Sequence, residues 1–264
     1  MGERVNVGTV PLRLYLWPHR LLYVGPGLDA RMHRHHAAQV CWGLGGRLRL
    51  KAGPQGEWEE LNGFLVPPDR PHAFDASGST VAMLYLESEC VEFASLQTRI
   101  DSCDGSAAFE PPPVVAESLR ALVADGGSID VANSTCVLWL GLDGTDPGAR
   151  GRDPRIAQAR ALLSAQIDRP VRLQTLAGAL NVSTSWLSHR FAEDTGVPLR
   201  RYVVWLRLRR AVESVLQGAS WTEAAHAVGF SDSAHLSRSF RDTFGIAPSS
   251  LFRRGDQLSI CFAN

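Results

Sequence analysis

The sequence predicts an α+β multidomain protein, in which a β-barrel or double-sheet roll precedes an all-α domain with two helix-turn-helix motifs. Residues 1–110 hold short apolar segments with period-2 alternation, separated by Gly and Pro, as in all-β domains. From residue 154 onward the apolar residues follow helical spacing. In this second region one pattern occurs twice, at 177–196 and again at 225–245. A chain of 264 residues has room for two such domains.

Charge is divided unevenly between the two regions. Residues 154–264 carry 14 Arg and no Lys against 8 acidic residues, a net charge of +6, whereas residues 1–153 carry 13 basic and 19 acidic residues, a net charge of −6. This difference indicates that only the C-terminal region contacts the phosphates of a nucleic acid. The 5 cysteines are scattered, and no apolar run is long enough to span a membrane. We therefore expect a cytoplasmic protein without a membrane partner.

The N-terminal half divides into three segments. Strands are predicted at 39–44, 47–51, 64–66 and 81–86. Three consecutive prolines end this pattern, and two helices are predicted after them, at 114–123 and 129–142. Their apolar faces indicate a homodimer, unless they cover their own barrel. The predicted domains are a β-barrel at 1–110, a helical dimerisation segment at 111–142, a Gly- and Pro-rich linker at 143–153 and a helical domain at 154–255.

Each copy of the repeated pattern has the signals of a helix, a tight turn and a second helix. Asn181 and Gly229 occupy the turns, where a left-handed backbone is needed. Ser183 and Ser231 follow as predicted N-caps, and a glycine ends each second helix. A long helix at 199–217 separates the copies and carries five arginines, of which Arg209 is a candidate phosphate contact. This arrangement is typical of proteins that place helices in the major groove of DNA.

The segment 224–240, followed by Phe244-Gly-Ile-Ala-Pro248, resembles the signature of the AraC/XylS family of bacterial transcription regulators. The resemblance covers about residues 154–254. It implies that both recognition helices enter adjacent major grooves of double-stranded promoter DNA, with RNA polymerase as a further partner. Carried over by position, it assigns base contacts to Ser185, Ser188 and His189 in the first copy and to Ser233, His235, Ser237 and Arg238 in the second.

A second constellation lies in the N-terminal half. His33 and His35 share one face of a predicted strand, Gln39 shares it if the strand continues, and His72 lies on a later strand. Three imidazoles and an oxygen suit a divalent transition metal such as Zn, Fe, Mn, Ni or Cu. The spacing resembles the motifs of the cupin superfamily, whose double-stranded β-helix holds a metal in its mouth; Gln39 replaces the usual Glu. We therefore expect these four side chains to converge.

The resemblance leaves several functions open for the N-terminal domain. It could bind a small organic effector without metal, in a pocket whose walls include Trp42, Met83 and Tyr85 by strand alternation. It could hold a metal for sensing or for structure. A third alternative is a metal-dependent cupin enzyme of oxygenase or isomerase type with an accessory DNA-binding module, and a fourth is architectural DNA binding without a ligand. Because Gln39 is neutral, the sequence favours a non-enzymatic, sequence-specific transcription regulator that senses a small ligand or a metal.

Overall fold

Eleven strands are present in the computed structural model, which describes residues 10–88, 90, 92–102, 106–141, 153–252 and 258–263. They are β1 (Leu12–Trp17), β2 (Arg20–Pro26), β3 (Asp29–His33), β4 (Ala38–Gly43), β5 (Leu48–Ala52), β6 (Trp58–Leu61), β7 (Gly63–Val66), β8 (His72–Asp75), β9 (Thr80–Leu86), β10 (Ala107–Ala108) and β11 (Leu258–Phe262). The four strands predicted from the alternation correspond to β4, β5, β7 and β9.

The strands form two sheets that face each other across one core. The larger sheet has the order β10-β7-β4-β9-β2-β1-β11, and the smaller has the order β3-β8-β5-β6. Phe64 and Met83 of the larger sheet and Leu50 and Phe74 of the smaller are buried in the same apolar cluster. Neighbouring strands are antiparallel except for β1 and β11, which run parallel. The predicted double-sheet architecture is therefore confirmed.

Ten helices lie within the same described residues. They are α1 (Phe93–Ser102), α2 (Pro113–Ala124), α3 (Ile129–Trp139), α4 (Pro154–Ala165), α5 (Leu173–Ala179), α6 (Thr184–Thr195), α7 (Leu199–Leu216), α8 (Trp221–Ala227), α9 (Ser233–Phe244) and α10 (Ser249–Phe252). The first helix-turn-helix unit is α5 with α6, and the second is α8 with α9. None of the helices described is long and apolar enough to cross a membrane.

The helices α2 and α3 cover the outer face of their own larger sheet. Leu119 and Trp139 are buried in a cluster that also holds Val40 and Leu84 of the sheet. The apolar spacing that indicated a homodimer is thus largely satisfied within one chain, as the alternative interpretation required. The homodimer itself remains a prediction.

Two elements differ from the sequence-based expectation. Helix α1 lies in a region for which only strands were predicted, although Phe93 and Leu96 already have helical spacing and are both buried. Strand β11 lies in a region for which only helices were predicted, and it pairs with β1 from Leu12↔Leu258 onward. Most of the predicted linker, residues 143–152, lies outside the described residues, as do the last three residues of the predicted helical domain; Asp153 is the N-cap of α4.

The two helix-turn-helix units pack differently. The first unit has its own apolar cluster, which includes Leu187 and Phe191. The second unit places Leu236 and Phe240 in the core that also holds the two N-terminal sheets. Helix α7 contributes to both clusters. The C-terminal region is therefore joined to the N-terminal domain mainly through α7 and the second unit.

Candidate functional site

The first helix-turn-helix unit has the caps that the sequence predicts. Asn181 adopts a left-handed backbone with φ of 53° at the turn. The Ser183 hydroxyl then accepts a hydrogen bond from the Trp186 N–H at 3.1 Å, and α6 ends at Gly196 with φ of 78°. Ser185, Ser188 and His189 are exposed on α6. This surface is accessible to a groove of DNA, while a base contact by each of these three side chains remains a prediction.

The second unit differs from the prediction at its N-cap. The cap of α9 is Asp232 rather than Ser231, and the Asp232 carboxylate accepts the His235 N–H at 2.7 Å. This hydrogen bond lowers the pKa of Asp232. The predicted signal was one residue early because Ser231 is also a good capping residue; its hydroxyl instead donates to the Asp232 carboxylate at 3.1 Å.

Among the predicted base-contact residues of α9, Ser237 is engaged within the domain. Its hydroxyl accepts the Trp221 Nε1–H at 2.8 Å and donates to the Ser233 carbonyl at 2.7 Å. The Ser237 hydroxyl thus braces α8 against α9, while a base contact by Ser237 remains a prediction. His235 and Arg238 are exposed and Ser233 is half-buried, so these three keep an open surface.

Three imidazoles converge in the N-terminal domain, beneath the C-terminal domain. His33, His35 and His72 are buried, and one nitrogen from each lies within 4.8 Å of the others. The ring centroids of His33 and His72 are 4.1 Å apart, because the two residues pair across β3 and β8. The predicted convergence is confirmed. The predicted path was wrong, since β3 ends at His33 and Gln39 lies on β4 of the other sheet.

Hydrogen bonds fix which nitrogen of each ring faces the centre. The Nδ1 atoms of His33, His35 and His72 lie 2.7, 2.8 and 2.9 Å from the carbonyl oxygens of Arg31, Ala37 and Arg70. A neutral imidazole has a single N–H, so these carbonyls assign it to Nδ1 and leave a lone pair on each Nε2. This is how proteins orient histidines that bind metals.

The remaining contacts place four electron-pair donors around one point. The Nε2 atoms of His35 and His72 each lie 3.0 Å from Gln39 Oε1. His33 Nε2 is buried and has no hydrogen-bond partner among the described residues. Burial, with the neighbouring His35, lowers the pKa of His33 to about 3, and burial also lowers the pKa of His35 and of His72. The rings are therefore neutral at pH 7, and three nitrogens with one oxygen fit a divalent transition metal.

The chain is similar to known proteins along most of its length. The family of helix-turn-helix domains matches residues 176–254. The uncharacterised HTH-type transcriptional regulator YidL of Escherichia coli is 27% identical over 80% of this chain and 73% of its own length. The HTH-type transcriptional activator RhaS of Pectobacterium carotovorum is 40% identical, over 29% of this chain and 28% of RhaS. This chain carries an AraC-type helix-turn-helix domain and is a DNA-binding transcription regulator.

Solved structures agree with this regulator in fold. The structure of apo ToxT from Vibrio cholerae aligns with 89% of the regulator and over 97% of its own chain, with a TM-score of 0.61 and 15% identity. ToxT with an unsaturated fatty acid bound has a TM-score of 0.55 and 15% identity, over 89% of the regulator and 95% of that chain. The relatives are named as transcription regulators, so the enzyme alternative has no support and the regulator is a DNA-binding protein.

A cleft that is partly open to solvent lies between the two domains of the regulator. Met83 and Tyr85 line it as predicted, together with Trp205 and Phe240 from the C-terminal domain. Trp42 does not line it, contrary to the prediction. In the register of β4 with β9, Trp42 lies opposite Ala82, so it points to the outer face of the sheet, where Arg120 packs over its ring.

Glu87 is a buried residue of the cleft that the sequence did not point to. Its buried carboxylate accepts the Trp205 Nε1–H at 2.8 Å and pairs with Arg209 at 2.8 Å and His19 at 2.9 Å. Arg209 also pairs with Glu213 at 3.2 Å, so it joins the two domains, while a phosphate contact by Arg209 remains a prediction. The only signal in the sequence was the position of Glu87, an acid directly after an apolar strand.

Proposed function

We propose that the regulator responds to a divalent transition metal held by His33, His35, His72 and Gln39. The observation that supports this proposal is the hydrogen bond from each Nδ1 to a backbone carbonyl, which leaves all three Nε2 lone pairs facing inward. Two of these lone pairs face the lone pairs of Gln39 Oε1 at 3.0 Å. A metal ion at the centre would accept these lone pairs as ligands and remove the repulsion between them. Protonation of the imidazoles would also supply positive charge, but burial disfavours the charged form of each ring.

The competing arrangement is a Gln39 amide turned by half a rotation. Its NH₂ group would then donate to His35 and His72, and the cluster would be satisfied without a metal. Elemental analysis of protein purified without chelator, followed by titration with Co²⁺, separates the two arrangements. The proposal predicts one metal per chain and Co²⁺ absorption bands typical of nitrogen and oxygen ligands.

The matched variants are His72→Gln and His36→Gln. His36 is equally buried and directly follows a proposed ligand, but its ring packs on Tyr202 and Trp205 outside the cluster. His72→Gln should abolish Co²⁺ binding, and His36→Gln should retain it. A DNA sequence that the protein binds is first selected from a random pool. Added metal should then change the affinity for this sequence in the wild type and in His36→Gln, but not in His72→Gln. A protein without stoichiometric metal that also fails to bind Co²⁺ would contradict the proposal.

The interdomain cleft supports a second candidate effector, a small apolar molecule. ToxT, which shares the fold, is described with an unsaturated fatty acid bound. In this regulator each cation of the described cleft lining already has a carboxylate partner: Arg20 pairs with Glu92, and Arg209 pairs with Glu87 and Glu213. We therefore expect an uncharged ligand. Oleic acid and its methyl ester form a matched pair of probes, and the ester should bind more tightly; tighter binding of the acid would contradict this expectation.

The remaining partners follow from the surface. We infer that Ser185, Ser188 and His189 contact one segment of promoter DNA in the cytoplasm. We infer that the next segment, beside RNA polymerase, is contacted by Ser233, His235, Ser237 and Arg238. Val114, Val131 and Leu138 on α2 and α3 are 57%, 51% and 48% exposed, and they support pairing with a second copy of the chain. Val131→Glu should then shift the sedimentation coefficient from dimer to monomer; a wild-type monomer at micromolar concentration would exclude the dimer.

A further inference from the structure

The C-terminal end of recognition helix α9 lies directly against the histidine cluster. Arg31 on β3 donates its backbone N–H to the Gly245 carbonyl at 3.1 Å. The carbonyl of the same Arg31 accepts the Nδ1–H of His33 at 2.7 Å. Outside this backbone link, Arg31 and Asp242 of α9 form an ion pair at 3.5 Å. One residue thus connects an imidazole of the cluster to the helix that faces DNA.

Gly245 is needed here for two separate reasons. Its φ of 72° is left-handed, as at many helix C-termini. In addition, a Cβ atom at this position would lie 2.5 Å from the Arg31 carbonyl oxygen and 2.6 Å from His33 Nδ1. These distances are too short for any side chain, so only glycine lets α9 approach the site this closely.

The equivalent glycine of the first unit provides a natural comparison. Gly196 has a φ of 78°, so its backbone requirement is the same. A Cβ atom there would have no described atom within 4 Å. The two glycines therefore share the conformational reason and differ in the contact with the cluster.

We propose that the end of α9 completes the metal site: Gly245 positions the Arg31 carbonyl, which in turn orients His33 for the metal. This inference rests on the proposed metal site. Groups that orient a metal-binding histidine typically change metal affinity about 10–100-fold when they are altered. Because coupling between two sites is reciprocal, the metal favours the docked position of α9 by the same factor by which docking favours the metal. The first recognition helix, α6, has no such link among the described residues.

The test compares Gly245→Ala with Gly196→Ala in the full chain, by titration with Co²⁺ and by thermal unfolding. Both variants place alanine in a left-handed conformation, so both should lower the melting temperature, and Gly245→Ala should lower it further because its methyl group also meets Arg31 and His33. Gly196→Ala should bind Co²⁺ like the wild type. Gly245→Ala should bind it about 10–100-fold more weakly, with shifted absorption bands, since His33 is displaced.

A second pair of variants covers the case in which Gly245→Ala does not fold. Asp242→Arg reverses one charge of the exposed pair with Arg31, and Glu193→Arg makes the same change at the corresponding position of α6. Asp242→Arg should weaken Co²⁺ binding severalfold and Glu193→Arg should not. Equal Co²⁺ affinity in all variants, or equal weakening in both glycine variants, overturns the coupling while the metal site stands. A wild type that binds no Co²⁺ overturns the coupling together with the proposed metal site.

Discussion

The two helix-turn-helix units have the same local plan and different surroundings. In the first, Leu187 and Phe191 pack in a cluster built from α4 to α7. In the second, Leu236 and Phe240 pack in the core of the N-terminal sheets. The first unit also meets the N-terminal domain, through a hydrogen bond from the Ser88 hydroxyl to the Thr195 carbonyl at 3.2 Å. From this difference we predict that the first unit mainly contacts DNA, whereas the second contacts DNA and also responds to the N-terminal domain.

Helix α7 makes this division possible because it holds the two units at a fixed spacing. The Arg207 guanidinium donates to the Ile167 carbonyl at 3.1 Å and to the Arg169 carbonyl at 2.9 Å, both before the first unit. It also donates to the Gly229 carbonyl at 3.1 Å, in the turn of the second unit. Arg207 therefore ties the segment before the first unit to the turn of the second.

The largest expected effect separates the two cores. Phe191→Ala and Phe240→Ala each empty a fully buried site, and each should cost about 3–5 kcal/mol of unfolding free energy. Phe240→Ala should loosen the N-terminal sheets as well, while Phe191→Ala should affect only the first unit. Amide hydrogen exchange of peptides from β2 and β9 measures this difference. Equal loss of protection in those strands with both variants would remove the distinction between the units.

A second effect concerns DNA specificity. Arg238→Ala should remove about 1–3 kcal/mol of discrimination in one half of the bound sequence, because arginine can form paired hydrogen bonds with guanine. His189→Ala should change only the other half. Selection of bound sequences from a random DNA pool, with and without Zn²⁺, measures both. If Zn²⁺ alters the base preference only in the half of the site that depends on Arg238, the difference between the two units is supported. If Arg238→Ala and His189→Ala change the preference in the same half, the difference is contradicted.

A third effect is a dependence of stability on pH in the metal-free protein. The folded-state pKa of His33 is about 3, below the value of about 6.5 in an unfolded chain. Unfolding therefore takes up a proton between these two pH values. The unfolding free energy should fall by about 1.4 kcal/mol per pH unit for this group as pH decreases through that window, and it should be unaffected above it. Denaturant unfolding of the wild type and of His33→Asn measures the slope; identical slopes would contradict the burial of a neutral ring.

The parts predicted from the sequence are those whose cause is local. The turns at Asn181 and Gly229 and the cap at Ser183 depend on residues a few positions away, so both units were visible in the sequence. The face of Trp42 was not, because it depends on the register between β4 and β9. The pairing of β11 with β1 and the contact of Gly245 with His33 join residues far apart in the chain, and no periodicity encodes them.

The convergence of the histidines is an intermediate case. Spacing grouped His33, His35, Gln39 and His72 correctly, but it assumed one continuous strand. The structure reaches the same group through β3 and β8 of the smaller sheet and β4 of the larger, with His35 in the connection between β3 and β4. The residue types and their spacing thus predicted the members of the site, whereas the assumption of one continuous strand did not hold.

Hydrogen exchange of the full chain, with and without Zn²⁺ and in the absence of DNA, tests the central claim most directly. If the second unit is joined to the metal site, Zn²⁺ should slow exchange at the C-terminal end of α9 and leave α6 unchanged. Equal slowing in α6 and α9, or no change in α9 while Zn²⁺ is bound, would contradict the account.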